Sequence, residues 1–526
     1  MPSDGRSGRT HDLATFAVIA AATIAARLPF LLRSDRFFDA DEAVEGLMAR
    51  HVLLGEHPLF LWGQRYKGVP EVYLTSVVFR AAGSSVVALK AVTLACFIVF
   101  LWLNFRLVER VCSRRIAWIA TALFIAGPPA LVQWTLSGSA EIVMTLLCGV
   151  VLLLAVDWWR RARSTGALVL AGAAIGAGLW IQQYVLYYVV ALALAAAWEI
   201  PDWRETMTGV RRRLPGWLQA ILAVLAAVAA VYVLLGLLAF FSAGFDARVA
   251  GMRITATHPQ KMWWIAGALI VVIVGLGAVS VFRRQVVWPV LGMLAGYAPA
   301  IVGRIGNQGL GAPIARLDAA SLGAAWPDLT GLMLPMLLGF RDPMARRTVA
   351  APLVLALLAL ALVSYISVWR HKLTPFFHVF PLVATAMFFV SGSYIDATSY
   401  RYLMPVYAAL PVIYAVGVDA LWRWSWSAGV FALAFTLLLF GAQQIGWYQH
   451  LEPDRASAQM IACLDRAGVR AARAGYWSSY KITFLTGERI IVAPTDGVDR
   501  YPPYSALAGG DGPVDAVSCF SPSEAR

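Results

Sequence analysis

Residues 220–241, "AILAVLAAVAAVYVLLGLLAFF", run for 22 positions without a charge. In a helix about 20 apolar residues cross the roughly 30 Å of a bilayer's hydrocarbon core. The same length and character recur in "ATFAVIAAATIAARLPFLL" at 14–32 and "VVALKAVTLACFIVFLWL" at 86–103. The 526-residue chain is 60% hydrophobic and 14% charged, with a mean hydropathy of +0.68. A soluble core cannot absorb that much apolar surface, so the composition dictates an all-α polytopic membrane bundle.

The net charge of +13 would suggest a nucleic-acid partner in a soluble protein. Here the basic residues lie in short clusters between apolar spans: "RLVERVCSRR" at 106–115, "RRAR" at 160–163, "RRRLPG" at 211–216, "FRR" at 282–284 and "WRHK" at 369–372. They fall at every second connection, together with Arg6 and Arg9, as cytoplasmic loops do. The partners this implies are membrane lipids and not nucleic acid.

Spans are expected near 13–32, 84–106, 115–135, 139–157, 166–181, 183–200, 217–241, 263–282, 286–303, 349–369, 373–392, 402–421 and 428–446. That is about thirteen helices. An odd number starting inside divides the chain into a membrane domain, 1–446, and a small α/β domain, 447–526, outside. Within the first apolar run no small-residue cleavage site precedes the acidic stretch, so it reads as a retained span and not a signal peptide. One segment resists the scheme: "LTGLMLPMLLGF", 329–340, is short for a span and precedes Arg346 and Arg347 on an expected outer loop. It reads as interfacial or re-entrant; if it spans, the tail moves inside.

Two outer connections are long, 33–83 and 304–348. The first carries Val44, Leu47, Met48, Val52 and Leu53 at helical spacing, an amphipathic pattern suited to lying on the membrane with its apolar face down. In the tail, a helix is expected around 454–467, then strands in "AGYWSSYKITFLTG" (474–487) and "ERIIVAP" (488–494). Its tyrosines and tryptophan suit either carbohydrate stacking or a small aromatic core. Cys96, Cys112 and Cys148 lie in or beside spans as small buried residues, whereas Cys463 and Cys519 become a possible bridge if the tail is outside.

The acids concentrate in "RSDRFFDADEAVEGLMARH", residues 33–51. Asp39 and Glu42 have capping-box spacing before an apolar-periodic run. Asp35 and Glu45 read as solvated. Asp41 sits inside the cap, where helix dipole and free amides favour a carboxylate; it reads either as one more first-turn acid or as a base able to deprotonate a hydroxyl at the membrane surface.

The order of a first span, an outer "DADEA", a helix ending "LLGEHPL" and then "RYKGVP" resembles the first outer loop of GT-C glycosyltransferases, in particular protein O-mannosyltransferases and lipid A aminoarabinose transferases. The resemblance implies a GT-C fold and a sugar taken from a polyprenyl-phosphate carrier. It makes Asp41 the catalytic carboxylate with Glu42 as its partner, and Lys67 the ligand of the carrier phosphate. Those relatives place the lysine directly before proline, whereas here "KGVP" separates Lys67 from Pro70, so Arg65 is an alternative. Chemically, Arg65, Tyr66 and Lys67 read equally as an interfacial anchor.

Glu141, at the outer end of a span, is a functional candidate or a helix-start acid behind Ser137 or Ser139. GT-C enzymes often have a second acid there, usually Asp. In "DATSYRYLMPVYAAL", 396–410, Arg401 and Tyr402 resemble a further GT-C pattern; Arg401 either binds phosphate or pairs with Asp396. Tyr66, Tyr402, Gln182 and Asn307 are candidates for contacting the sugar. Lys90 reads as snorkelling. His51 and His57, near acids but without ligand spacing, leave a divalent metal possible and none assigned.

The expectation is therefore an integral-membrane hexosyl- or pentosyltransferase at the outer face of a bacterial cytoplasmic membrane, inverting, with a lipid, glycan or protein acceptor. The absence of a glycine-rich nucleotide loop agrees with a lipid-linked donor. The competitor is a transporter or flippase of a lipid-linked saccharide, which would place its working charges within the spans; a non-catalytic scaffold is a third.

Overall fold

The expected span 115–135 breaks at Gly127-Pro128, and the break shows how the bundle is built. The computed structural model describes residues 5–202, 205, 208–209, 212–242, 245–249, 252–256, 258–305, 317–343, 348–370, 375–509 and Cys519. In it, α5 (Arg114–Ile125) stops before the proline and α6 (Pro129–Trp134) restarts after it. Proline supplies no N–H and excludes the helical conformation before it, so the last carbonyls of α5 lose their partners. Arg27 of α1 (Gly5–Leu31), fully buried, donates to the carbonyls of Ile125 at 2.6 Å and Phe124 at 3.2 Å. Gln444 donates to Gly127 O at 2.6 Å. Irregular backbone at membrane depth persists only when it is satisfied in this way.

Among the described residues eight helices are long and apolar enough to cross a membrane. A ninth is formed if Thr398–Ala408 and Leu410–Trp424, bent by 52°, count as one, and Thr165–Ile181, Val185–Trp198 and Phe376–Val390 are shorter apolar helices. The architecture is the expected polytopic helical bundle. The two spans expected on either side of "FRR" are Pro259–Val279 and Gln285–Arg304, but no loop separates them: Pro259–Arg304 is one helix of 46 residues. Neither glycine nor proline interrupts 280–286, so nothing in the local sequence makes a turn. Its length, about 69 Å, exceeds twice the hydrocarbon thickness. Its second half lies flush on α8 (Thr165–Ile181): a Cβ on Gly172 or Gly176 would sit 1.9 or 2.1 Å from the carbonyl oxygens of Pro289 and Met293. Small residues allow that approach.

The "LTGLMLPMLLGF" stretch forms a π-turn, Leu329–Met333, and a short helix, Leu334–Leu337, with Met333, Met336 and Leu337 buried. Arg346 and Arg347 lie outside the described residues.

The connection 33–83, expected to be outer, folds as α2 (Ala40–Leu53), a short hairpin of β1 (Phe60–Leu61) and β2 (Gln64–Gly68), and α3 (Pro70–Ala82). The apolar face of α2 does not lie on lipid. Val44, Leu47 and Met48 are buried in one cluster with Val72 and Phe79 of α3 and with Tyr476, Tyr480 and Phe484 of the tail. Burial against α3 and the tail therefore replaces burial in the membrane. The tail and the first connection lie on one face of the bundle.

The tail helix is Arg455–Arg466, as expected, but "AGYWSSYKITFLTG" is mostly helical, Tyr476–Leu485. The strands are Ala471–Ala474 and Ile491–Pro494, paired in parallel with that helix as the crossover. Aromatic and β-branched residues there face a buried helix–strand contact and not a hairpin, which composition alone does not distinguish. Cys463 and Cys519 are disulfide-bonded.

Candidate functional site

The site is built on the start of α2. Asp39, with extended backbone, accepts from Glu42 N at 2.9 Å and caps the helix. The reciprocal half of the expected box is missing. Glu42 instead turns inward to Lys90 of α4 (Val86–Val111) at 2.8 Å and accepts from Gly138 N at 2.7 Å. Lys90 does not snorkel: it is fully buried and also donates to Phe37 O at 3.1 Å. Burial pushes the Glu42 carboxyl up to about 8, with the Lys90 charge pulling it back. This pair ties α2, α4 and the Ser137–Ala140 corner together, and Glu42 does not line the cavity described next.

That cavity, about 950 Å³ and open to solvent, lies between the first connection and the ends of the membrane helices. Asp39, Asp41, Tyr66, Lys67, Glu141, Gln182, Tyr184, Arg401 and Tyr402 line it. Asp41, 28% exposed at its side chain, stands at the rim in the first turn of α2. Its Oδ1 accepts from the Tyr476 hydroxyl and lies 3.8 Å from Arg500 Nη2; Oδ2 accepts no hydrogen bond among the described residues.

Lys67, on β2, is buried and fully engaged. Its ammonium meets Glu45 and Glu141 at 2.7 Å each and Ser139 Oγ at 2.8 Å, which uses its three N–H bonds. Burial opposes the charge, but Glu141, Glu45 and Glu71 outweigh it and hold the lysine well above its usual range. Glu45, expected in solvent, is 1% exposed, and burial raises its carboxyl. Glu71 of α3 is also buried, and neither of its oxygens has a hydrogen-bond partner among the described residues. Burial first, then Glu45, raises it well above its usual value.

Glu141 opens α7 (Glu141–Ala162) and spends one oxygen on Lys67; neither Ser137 nor Ser139 caps it. Gln182 and Tyr184 occupy the turn between α8 and α9 (Val185–Trp198), with Gln182 Oε1 accepting from Gln183 N at 3.1 Å. Tyr66 is part-buried, which pushes its phenol up. Arg401 lies on a 3-10 helix, Ala397–Ala408, whose Asp396 caps Thr398 N at 2.8 Å and is not paired with the arginine. Arg401 gives Nη2 to the Tyr402 hydroxyl at 2.9 Å, while its Nε is buried without a hydrogen-bond partner among the described residues. Of the two described cations that line the cavity, Lys67 and Arg401, it is Arg401 that has N–H bonds to spare.

The fold thus brings Asp41, Glu141, Lys67, Arg401, Tyr66, Tyr402 and Gln182 to one cavity and leaves Glu42 behind it. Asn307 lies outside the described residues, as does the side chain of Arg65. His51 is held between Glu56 at 2.7 Å and Glu488 at 2.9 Å, and His57 is exposed. Sequence reading missed Tyr476 and Arg500, which reach Asp41 across more than 430 residues. No local pattern marks such a contact.

An acid in the first turn of α2 and an arginine line one cavity within a bundle of apolar helices, and the chain is a multi-pass membrane protein of GT-C fold. ArnT from Cupriavidus metallidurans bound to undecaprenyl phosphate is similar at 12% identity and a TM-score of 0.50, over 96% of this chain and 88% of that one. ArnT in the apo state is similar at 12% identity and 0.49, over 95% and 88%. The apo oligosaccharyltransferase of Archaeoglobus fulgidus is similar at 14% identity and 0.45, over 92% of this chain. The chain spans 64% of that oligosaccharyltransferase. No protein-family model and no curated protein sequence matches the chain. At these identities the likeness is one of fold.

Proposed function

We propose that the protein is a membrane glycosyltransferase that moves a hexose or pentose from a polyprenyl-phosphate donor to a lipid, glycan or protein of the cell envelope, with inversion, at the outer face of the cytoplasmic membrane. The observation that carries this reading is the pairing, in one cavity, of Asp41 with Arg401. ArnT, whose fold the chain shares, was solved bound to undecaprenyl phosphate.

In this reading Asp41 Oδ2 takes the proton of an acceptor hydroxyl as its oxygen attacks the anomeric carbon. The bond from that carbon to the phosphate oxygen breaks, and the phosphate leaves with the electron pair. Arg401 meets the developing charge through Nε and its remaining N–H bonds. Lys67, with its donors already committed, holds Glu45 and Glu141 in place. Tyr66, Tyr402, Gln182 and Glu141 offer hydrogen bonds to sugar hydroxyls, and Arg65 and Asn307 remain candidates from the sequence alone.

The test is transfer by the purified protein in lipid, supplied with radiolabelled polyprenyl-phosphate sugars and envelope acceptors. Asp41→Asn is expected to lower transfer by about a hundredfold or more, and Arg401→Ala to raise the donor KM while lowering kcat. Transfer unchanged in Asp41→Asn would remove the base, and donor translocation without transfer would favour a flippase.

A further inference from the structure

We infer that Tyr476 and Arg500, in the carboxyl-terminal unit, are positioning residues for Asp41, so that the acid–base site is complete only when that unit is docked on the first outer connection. This rests on the reading of Asp41 as the base.

The contact is built from several directions. Tyr476 opens the helix Tyr476–Leu485, and its backbone N–H is held by Asp496 at 2.8 Å. Its hydroxyl donates to Asp41 Oδ1 and receives Arg500 Nε at 3.3 Å. Arg500 is anchored through its backbone N–H to the Tyr480 hydroxyl at 2.6 Å, and its guanidinium stacks over the Tyr476 ring at 5.3 Å. With the Gln64 amide oriented by its donors, the amide oxygen accepts both Nη groups at 2.8 Å. Space for the arginine comes from Gly63, at φ +67°, where a Cβ would fall 2.9 Å from Arg500 Cδ. Tail, hairpin and α2 therefore meet at one carboxylate.

The chemical consequence follows from which oxygen is used. A carboxylate near a helix start turns freely about its side-chain bonds. Fixing Oδ1 by a hydroxyl leaves Oδ2 as the oxygen free to accept a proton, and the nearby guanidinium steadies the negative charge. Neither residue touches the donor or the acceptor in this account; both act through Asp41.

The test uses the full-length protein in lipid and the transfer assay. Tyr476→Phe keeps the ring and its packing but removes the hydroxyl. It is expected to lower kcat about ten- to hundredfold with donor KM within about twofold. Arg500→Ala is expected to do the same, with Arg500→Lys recovering part of the loss. In an Asp41→Glu background, where the carboxylate has moved, Tyr476→Phe is expected to cost less than about twofold, because the two residues act as one unit. Unchanged kcat in Tyr476→Phe, or an equal loss in both backgrounds, overturns the inference. Loss of activity that tracks loss of protease resistance in the tail also overturns it, since the role is then docking alone. Activity surviving Asp41→Asn would instead defeat the underlying assignment of the base.

Discussion

Asp39 caps α2, and Glu42 and Glu45, three residues apart on its buried face, differ in fate because different partners meet them, Lys90 and Gly138 at Glu42 and Lys67 and Ser139 at Glu45. Capping by Asp39 is local chemistry, and it is legible in D-x-x-E spacing. The inward course of Glu42 is not, because Lys90 and Gly138 reach it from 48 and 96 residues away. Lys90→Met is expected to lower stability by about 3–5 kcal/mol, since it strands a buried carboxylate, and adding Glu42→Gln is expected to restore part of that loss. Thermal unfolding in detergent reads both; equal or greater instability of the double variant would deny the pairing. The same measurement separates Glu42, paired with Lys90 behind the cavity, from Asp41, whose replacement by Asn is expected to leave stability nearly unchanged.

At the level of elements, α2 is held to the tail by a cluster around His51, and this contact is pH-dependent. The groups facing the ring are Glu56 and Glu488, with Arg50, Tyr501 and Tyr504 beside them. Burial opposes protonation of His51, but the hydrogen bonds its ring donates to Glu488 and Glu56 outweigh it and raise the ring above its ordinary 6.5. Because the docked state binds this proton more tightly than the free side chain, the stabilisation is full below 6.5 and is lost as pH rises through the raised value. Glu488, held lower by the same contact, loses its share only as pH falls through its depressed value. Amide protection at Tyr476–Leu485, the exchange rate corrected for its intrinsic rise with pH, is therefore expected to fall between neutral and mildly alkaline pH in the wild type. In His51→Gln protection should be low and flat; wild-type protection independent of pH would refute the latch. The amphipathic period of α2 was readable from sequence, but its partner was not: a periodic apolar face specifies burial without saying whether lipid or protein supplies it.

Across the whole molecule, apolar length predicted the bundle well, because crossing hydrocarbon is a constraint each segment meets by itself. It failed where tertiary contacts intervene, at Gly127-Pro128, which Arg27 and Gln444 make tolerable; in Pro259–Arg304 both spans are present and only the loop between them is replaced by continuous helix. The cavity follows the same division, with Asp41, Lys67, Glu141 and Arg401 picked out by chemistry and position, and Tyr476 and Arg500 supplied only by the folded chain. Sidedness is the property both levels share. The tail packs on the connection between α1 and α4, so both face one compartment, and we propose that it is the oxidising one, where a bridge between Cys463 and Cys519, 56 residues apart, persists. In intact cells a membrane-impermeant thiol reagent is expected to label cysteines placed at Gln64 and at the exposed Trp477 equally. Cys463 and Cys519 should react only after reduction, and Cys463→Ser should destabilise the tail by up to about 4 kcal/mol through the freed loop. Labelling of one position from outside and the other only after lysis would place the tail and the first connection on opposite sides, and would dismantle the cavity with them.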